Sequence, residues 1–177
     1  MVDMKKLMII GKNYNLPIIE DACQGILASQ NNKNAGTWGE TGCFSLHPLK
    51  NLNVWSDGGI IVTDSIELND SLRLLRNHGM KNRDEIEILG YNSRLDTIQA
   101  VVGNWLIPQT KSISEKRISN ANYYDSHFSK IKSLKVPTRP KNMRVVYHLY
   151  IIFAEKRDEL LKFCLKKGIE AKIHYPI

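Results

Sequence analysis

Residues 43–63 read CFSLHPLKNLNVWSDGGIIVT, and this stretch predicts a strand, a loop that carries one lysine, and a second strand. Pro48 ends the first apolar run, because proline has no N–H group to donate to a strand ladder. Asp57 and the two glycines after it supply a turn, and the β-branched run 60–63 is typical of a buried strand. Lys50 is therefore a single amine in an otherwise apolar loop.

Two interpretations of Lys50 follow from this setting. A lysine withdrawn from water among apolar groups loses its proton more readily and becomes a nucleophile toward carbonyl compounds. The alternative is a surface lysine whose aliphatic stem covers apolar surface, which is the commoner situation for an arbitrary lysine. Asp21 favours the first interpretation, because it follows a short apolar run at 16–19 that predicts a buried strand. Taken alone, Asp21 is explained equally well as a turn or capping residue.

The composition is that of a globular protein, with 177 residues, 42% hydrophobic and 24% charged side chains. The net charge of +7 is uneven, since residues 1–110 hold 10 Lys+Arg against 12 Asp+Glu and residues 111–177 hold 15 against 6. Basic regions contact nucleic acid or membranes, but no zinc-finger spacing, helix-turn-helix signature or aromatic RNA-binding motif accompanies this one. We interpret it as a solvated surface and expect no nucleic acid or membrane partner.

Three cysteines, Cys23, Cys43 and Cys164, are odd in number and widely spaced. This pattern predicts free thiols in a reducing compartment, neither disulfides nor metal ligands. The sequence contains no signal peptide and no apolar run of membrane-spanning length. We therefore expect a cytoplasmic protein without a metal.

Helix and strand patterns alternate along the chain, which indicates the α/β class. In the first half of the chain the predicted elements are a helix at 1–15 with Asp3 as its N-cap, a strand at 16–19, a hairpin or irregular segment at 25–42, and a helix capped by Ser65. A further helix is capped by Asn92 or Ser93, is interrupted at Pro108 and resumes at 112–128. The last predicted elements are a strand at 144–153, a helix at 156–167 and a strand at 169–174. The fold predicted is a partial, mostly parallel sheet with helices, followed by the start of a small α+β domain.

Asp21, Gln24, Ser45 and Lys50 all fall at the predicted carboxyl ends of strands, where open α/β sheets bind ligands. A lysine that forms an imine requires an aldehyde, and an aspartate beside a pyridine nitrogen keeps that nitrogen protonated. Proteins hold pyridoxal 5'-phosphate in this way. Ser45 adds a hydroxyl donor for a phosphate group. The four residues therefore indicate a pyridoxal-phosphate site.

Five motifs resemble those of the DegT/DnrJ/StrS family, in the same order and with similar spacing: IIEDACQG at 18–25, GCFSLHPLKNLNVWSDGG at 42–59, LRNHG at 75–79, GYNSRLDTIQA at 90–100, and YHLY with GIEAKIHYP at 147–150 and 168–176. The family consists of fold-type I pyridoxal-phosphate enzymes, mostly aminotransferases acting on nucleotide-linked keto-sugars. The resemblance implies that residues 1–111 are the C-terminal part of a large cofactor-binding domain. It implies that residues 112–177 are an interdomain helix and an incomplete small α+β domain.

Functional residues carry over by position in these motifs. The resemblance implies that Lys50 forms the Schiff base with the cofactor and that Asp21 pairs with the pyridinium nitrogen. It places Gln24 beside the cofactor ring and its hydroxyl, and Ser45 at the phosphate. Asn92 matches an asparagine that reaches the cofactor phosphate of the neighbouring subunit, which implies a homodimer with shared active sites.

The reaction implied by the resemblance is a ping-pong transfer of an amino group, from L-glutamate to a nucleotide-linked keto-sugar. Lys50 argues for amino transfer, because relatives that dehydrate or deoxygenate the sugar have histidine there. Full family members are longer, so the chain is expected to be an internal fragment that holds the cofactor weakly or not at all. The alternatives are a non-catalytic or regulatory member of the same family and a basic polyanion-binding module.

Overall fold

The computed structural model describes residues 1–176, and these contain four helices and eight strands. In chain order the elements are α1 (Met4–Tyr14), β1 (Ile19–Asp21), β2 (Ser29–Gln30), β3 (Lys33–Asn34), β4 (Thr41–Ser45), β5 (Gly59–Val62), α2 (Ile66–Leu75), α3 (Thr97–Phe128), β6 (Leu134–Lys135), β7 (Met143–Arg144), β8 (Phe153–Ala154) and α4 (Arg157–Lys166). None of the helices within residues 1–176 combines the length and the apolar character needed to cross a bilayer.

The principal sheet contains three strands in the order β1-β4-β5. β1 runs parallel to β4 with Asp21 opposite Cys43, and β4 runs antiparallel to β5 with Ser45 opposite Gly59. The prediction that these segments share one sheet is confirmed. Only the pairing of β1 with β4 is parallel. β4 and β5 are antiparallel because the connection between them, residues 46–58, contains no crossover helix and returns the chain directly. The carboxyl ends of β1 and β4 therefore lie at the same edge of the sheet.

The remaining strands are short. β2 pairs with β3 and with β7, so of the two structures predicted for 25–42, a hairpin or an irregular segment, the hairpin is found, and β6 pairs with β8. The chain forms two compact units, one of residues 1–118 with 140–148 and the other of residues 119–139 with 149–177. The candidate site lies in the first unit. The predicted domain division at residues 111 and 112 stays a prediction.

The side chain of Glu20 in β1 binds the segment 36–39, which precedes β4, by hydrogen bonds. Glu20 is 7% exposed, and its carboxylate accepts hydrogen bonds from the backbone N–H groups of Gly36 (2.7 Å), Trp38 and Gly39 (2.9 Å). The backbones pack closely here, since a Cβ atom on Gly42 would lie 2.1 Å from the carbonyl oxygen of Gly36. A single buried carboxylate thus satisfies three donors beside the strand that ends in Asp21.

We expect Glu20→Ala to lower the free energy of unfolding by about 3 kcal/mol, because it leaves buried N–H groups without their charged acceptor. The measurement is urea unfolding followed by circular dichroism. Glu40→Ala is the matched control: Glu40 is exposed, and the change should stay within about 0.5 kcal/mol. Equal effects of the two substitutions would show that the Glu20 hydrogen bonds do not stabilise the fold.

The predicted N-caps of the first two helices are confirmed. Asp3 accepts a hydrogen bond from the N–H of Lys6 at the start of α1, and Ser65 accepts one from Leu68 at the start of α2. Asp3 also accepts from the amide of Gln30, a residue only 1% exposed. Asp3 therefore caps the N-terminus of α1 and also connects this helix to β2.

Helix α3 differs from its prediction at two points. It begins at Thr97, so Asn92 and Ser93 are not its caps, and it continues through Pro108 without a break. Proline removes one helical N–H, but side chains bond neighbouring carbonyl groups: Gln109 donates to Trp105 and Thr110 to Leu106, both at 3.0 Å. These bonds, together with the burial of Leu106 and Thr110, hold the helix together.

Two predicted strands are wrong. The segment 144–153 is not one strand, because its ends pair in different sheets and Tyr147 between them has a φ of 51°. The segment 169–174 pairs with no strand among the described residues. The helix predicted at 156–167 is confirmed as α4, and Gly168 after it takes the left-handed conformation expected there, with a φ of 73°.

Candidate active site

The loop between β4 and β5 is held by its own apolar side chains. Leu46, Leu52 and Val54 are at most 5% exposed and pack against Leu106 of α3. These residues explain why the loop is apolar in sequence: they bury its base and leave Lys50 half-buried at its turn. The backbone N–H of Lys50 closes that turn by donating to the carbonyl of residue 47 at 2.9 Å.

Asn51 ties the same loop to two other parts of the chain. It is 4% exposed, and its Nδ2 donates to the carbonyl oxygen of Val146 at 2.9 Å and to Ser114 Oγ at 3.3 Å. Both partners are buried. The residue directly after Lys50 is therefore fixed in space, so the lysine extends from a rigid backbone.

The amine of Lys50 faces a histidine. Lys50 Nζ lies 3.5 Å from His148 Nε2, although the two residues are 98 positions apart. The sequence around His148 indicates no function for it, because no local spacing relates it to Lys50. The only sequence signal is its place in the YHLY motif, which does not point to a partner.

Asp21 is the last residue of β1, which runs from Ile19 to Asp21 and not over the predicted residues 16–19. The backbone N–H of Cys23 donates to its Oδ1 at 3.1 Å. Hydrogen bonds from the side chain and backbone of Cys23, followed by the positive charge of Lys50, lower the pKa of Asp21 below its ordinary value. Asp21 is thus a carboxylate at neutral pH, and the structure brings it within electrostatic reach of Lys50.

Cys23, which is hydrogen-bonded to Asp21, is a protonated thiol. Burial, and then the hydrogen bond and negative charge of Asp21, raise the pKa of Cys23 to about 11, although Lys50 acts in the opposite direction. Its Sγ also lies 3.7 Å from the carbonyl oxygen of Cys43. Cys23, like the other two cysteines, is free, as predicted.

We expect Cys23 to react with iodoacetamide about 100-fold more slowly at pH 8 in the folded protein than in urea, because the thiolate is the reactive form and its pKa rises from 9.0 to about 11. The rate should climb as the pH approaches 11. Mass spectrometry of the Cys23 peptide measures it. Asp21→Asn should accelerate the folded-state reaction by removing a negative charge, and an unchanged rate would contradict the contact between Asp21 and Cys23.

Ser45 and Gln24 occupy the same edge of the sheet. Ser45 is the last residue of β4, and its Oγ accepts a hydrogen bond from the N–H of His47 at 3.2 Å, which leaves its own hydroxyl proton to donate elsewhere. Gln24 is exposed in the turn after β1 and forms no hydrogen bond with any other described residue. Ser45 therefore lies at the carboxyl end of β4 and Gln24 in the turn that follows β1.

Asn92 is not joined to this group. It is exposed and pairs with Asn77 in an isolated bridge, and its Oδ1 accepts from Arg94 Nε at 3.1 Å. Within residues 1–176, no hydrogen bond connects Asn92 to Asp21 or Lys50.

The donor set at the sheet edge fits a particular kind of cofactor. A primary amine forms an imine with an aldehyde, an ionised carboxylate binds a cationic ring nitrogen, and a serine hydroxyl donates to a phosphate. An aldehyde, a ring nitrogen that can carry a proton and a phosphate are the functional groups of pyridoxal phosphate. Among the described residues no cluster of three or more His, Cys, Asp and Glu side chains could hold a metal ion.

An α/β sheet with an aspartate at the end of one strand and a lysine after its parallel neighbour is the arrangement expected of the fold-type I aminotransferase class. Comparison with known families agrees: the DegT/DnrJ/EryC1/StrS aminotransferase family profile matches residues 1–177. The chain belongs to this family.

Curated relatives are similar over the whole chain. A UDP-N-acetyl-3-dehydro-alpha-D-glucosamine 3-aminotransferase of Acidithiobacillus ferrooxidans is 37% identical, covering 99% of this chain and 47% of the relative. A dTDP-3-amino-3,4,6-trideoxy-alpha-D-glucose transaminase of Streptomyces venezuelae is 34% identical, covering 99% of this chain and 46% of the relative. The chain thus spans about half the length of the curated relatives it matches.

Solved structures confirm the predicted fold class. S. venezuelae DesV, crystallised in complex with a ketimine intermediate, superposes with a TM-score of 0.96 at 34% identity, covering 100% of this chain and 48% of that one. A DegT DnrJ EryC1 StrS aminotransferase from Brucella abortus gives a TM-score of 0.94 at 32% identity, with coverage of 99% and 47%.

Proposed function

We propose that this chain carries the lysine-bearing part of a pyridoxal-phosphate-dependent aminotransferase that converts a nucleotide-linked keto-sugar into an amino-sugar. L-glutamate is the proposed amino donor. The observation that carries the proposal is the placement of Asp21 at the carboxyl end of β1 and of Lys50 in the loop after β4, the parallel neighbour of β1. Hydrogen bonds from Cys23, with a smaller effect of the Lys50 charge, lower the pKa of Asp21. The chain spans about half the length of the relatives it matches, so the activity is proposed for the whole protein.

Relatives support the substrate class. The proteins named in the comparison include transaminases of UDP-linked and dTDP-linked sugars, at 37% and 34% identity. A third, from Aneurinibacillus thermoaerophilus, is named a dTDP-3-amino-3,6-dideoxy-alpha-D-galactopyranose transaminase and is 35% identical. A nucleotide-linked sugar is the substrate class that these names share.

Lys50 and Asp21 divide the chemistry between them. When bound, pyridoxal phosphate supplies an aldehyde for the imine and a protonated ring that accepts negative charge. Lys50 would hold the cofactor through its amine and, as a free amine, would take the proton from the α-carbon of the amino donor and return it to the cofactor carbon, acting first as base and then as acid. Asp21 keeps the proton on the ring nitrogen, for which its carboxylate must remain ionised.

The other predicted residues bind and orient. Ser45 is proposed to donate its hydroxyl proton to the cofactor phosphate, and Gln24 to lie beside the ring and its hydroxyl group. Asn92 is proposed to serve the cofactor phosphate of a second subunit in a homodimer, and its exposure and lack of a hydrogen bond to Lys50 or Asp21 support this. A cytoplasmic location and the absence of nucleic-acid and membrane partners stay predictions.

Amino transfer is the direct test of this function. The polypeptide encoded by the complete reading frame is incubated with pyridoxal phosphate, L-glutamate and a panel of UDP-linked and dTDP-linked keto-sugars. We expect 2-oxoglutarate to form in step with a sugar in which an amino group has replaced the carbonyl oxygen, detected by mass spectrometry. Omitting the sugar limits 2-oxoglutarate to one equivalent per site. Turnover without an amino-sugar product would contradict the proposed substrate class.

A further inference from the structure

The contact between Lys50 and His148 is the least expected feature of the site. Their nitrogen atoms, Nζ and Nε2, lie 3.5 Å apart, at the outer limit of a hydrogen bond. The two residues come from different motifs, one in the loop after β4 and the other in the irregular segment after β7. The function proposed above assigns no task to His148.

The backbone around His148 is held from three sides. Val146 is 2% exposed and packs with Ala22, next to Asp21, while its carbonyl oxygen accepts from Asn51. Arg117 Nη1 donates to the carbonyl oxygens of Tyr147 and His148, at 3.1 and 3.2 Å. The hydrogen bonds of Asn51 and Arg117 therefore fix the backbone that carries the His148 imidazole.

The backbone at Tyr147 adopts an unusual conformation immediately before His148. Its φ of 51° lies in the left-handed region, which residues other than glycine seldom adopt. Such a conformation persists only where the surroundings fix it, and the Arg117 hydrogen bonds do so. The turn at Tyr147 directs the next residue, His148, toward the amine of Lys50.

Chemistry decides which partner donates. A lysine ammonium group only donates, so His148 Nε2 must be the unprotonated, accepting nitrogen of a neutral imidazole. A protonated imidazole would set two cations against each other. Among the described residues, the ionisable groups near the pair include the Asp21 carboxylate and the Cys23 thiol on the side of Lys50, and the Arg117 guanidinium at the backbone of His148.

We propose that His148 is a positioning residue for the Lys50 amine: neutral His148 accepts a hydrogen bond from Nζ and holds the free amine facing the cofactor site beside Asp21. This use of His148 rests on the proposed function, but the hydrogen bond itself exists without cofactor. It matters whenever Lys50 is not bonded to a carbonyl, since an untethered lysine side chain would otherwise sample many rotamers.

The first test needs no cofactor. Long-range ¹H–¹⁵N spectra of the histidine rings at pH 8 report which ring nitrogen carries the proton, and His148→Gln identifies the signals of His148. We expect Nε2 of His148 to be unprotonated in the unmodified protein, and this preference to be lost in Lys50→Met. A neutral ring with its proton on Nε2, or a spectrum unaffected by Lys50→Met, would overturn the proposal.

The second test measures the rate at which the Lys50 amine is labelled by pyridoxal phosphate. Pyridoxal phosphate is added in excess, the imine is trapped with borohydride, and labelling of Lys50 is normalised to that of the exposed Lys111 in the same sample. We expect His148→Leu to slow Lys50 labelling about fivefold, as the loss of one hydrogen bond predicts. His148→Gln, which keeps an acceptor, should remain within about twofold of the unmodified protein.

The pH dependence distinguishes positioning from a structural role. Histidine side chains gain their charge between about pH 8 and 5, so labelling in the unmodified protein should fall toward that of His148→Leu over this range, whereas His148→Gln should not show this fall. Equal slowing in both variants would refute positioning by a hydrogen bond. If the spectra show the pair but Lys50 of the unmodified protein is never labelled, the proposed function fails and the His148–Lys50 hydrogen bond stands.

Discussion

Replacing Lys50 by alanine is expected to lower the rate of amino transfer by about 10²- to 10⁴-fold, the usual contribution of a group that moves a proton in the rate-limiting step. Lys50 is the half-buried amine in the loop after β4, and its positive charge adds to the Cys23 hydrogen bonds that lower the pKa of Asp21. The measurement is the initial rate of 2-oxoglutarate formation from L-glutamate.

Lys50→Arg separates the charge of this residue from its chemistry. Arginine keeps the positive charge but forms no imine and does not give up its proton, so we expect the same loss as with alanine. Lys111→Ala removes an exposed lysine and should leave the rate unchanged. Activity in Lys50→Arg close to that of the unmodified protein would show that only the charge at this position matters.

Asp21→Asn is expected to produce the second-largest loss, about 10²- to 10³-fold, which is typical when one preorganised electrostatic group is removed from an active site. The hydrogen bonds of Cys23 and the charge of Lys50 keep this carboxylate ionised, and asparagine cannot carry the charge that holds a proton on a ring nitrogen. Asparagine retains an oxygen to accept from the N–H of Cys23, so the thermal unfolding midpoint should change little.

The exposed Asp64 supplies the matched control, since Asp64→Asn removes the same charge away from the site and should leave the rate unchanged. The lowered pKa of Asp21 also fixes the direction of the pH effect. The carboxylate is ionised above its ordinary pKa of 3.8, and its charge is lost only as the pH falls through the still lower value of the folded protein. A steep loss of activity above pH 5 in the unmodified protein would therefore not come from Asp21.

The sequence was sufficient for those features that depend on neighbours along the chain. The caps at Asp3 and Ser65 and the hairpin in 25–42 are set by local hydrogen bonding. Asp21 and Lys50 could be placed at one edge because each follows a strand, and parallel strands end at the same edge.

Features that depend on distant partners could not be read in this way. The apolar run 144–153 has the composition of a strand, but Asn51 and Arg117 bond its carbonyl groups in place of a neighbouring strand, and Tyr147 turns the backbone. Pro108 would break an isolated helix, yet α3 continues through it. The contact between His148 and Lys50 joins residues 98 positions apart, and no spacing rule covers that separation.

Borohydride reduction followed by peptide mapping tests the central claim most directly. The polypeptide from the complete reading frame is incubated with one equivalent of pyridoxal phosphate, reduced, digested and examined by mass spectrometry. The account predicts that the added pyridoxyl phosphate mass is found on the peptide containing Lys50, and that the visible absorbance of the imine disappears on reduction. Labelling confined to a different lysine, with Lys50 unmodified, would contradict the assignment of Lys50 as the Schiff-base residue.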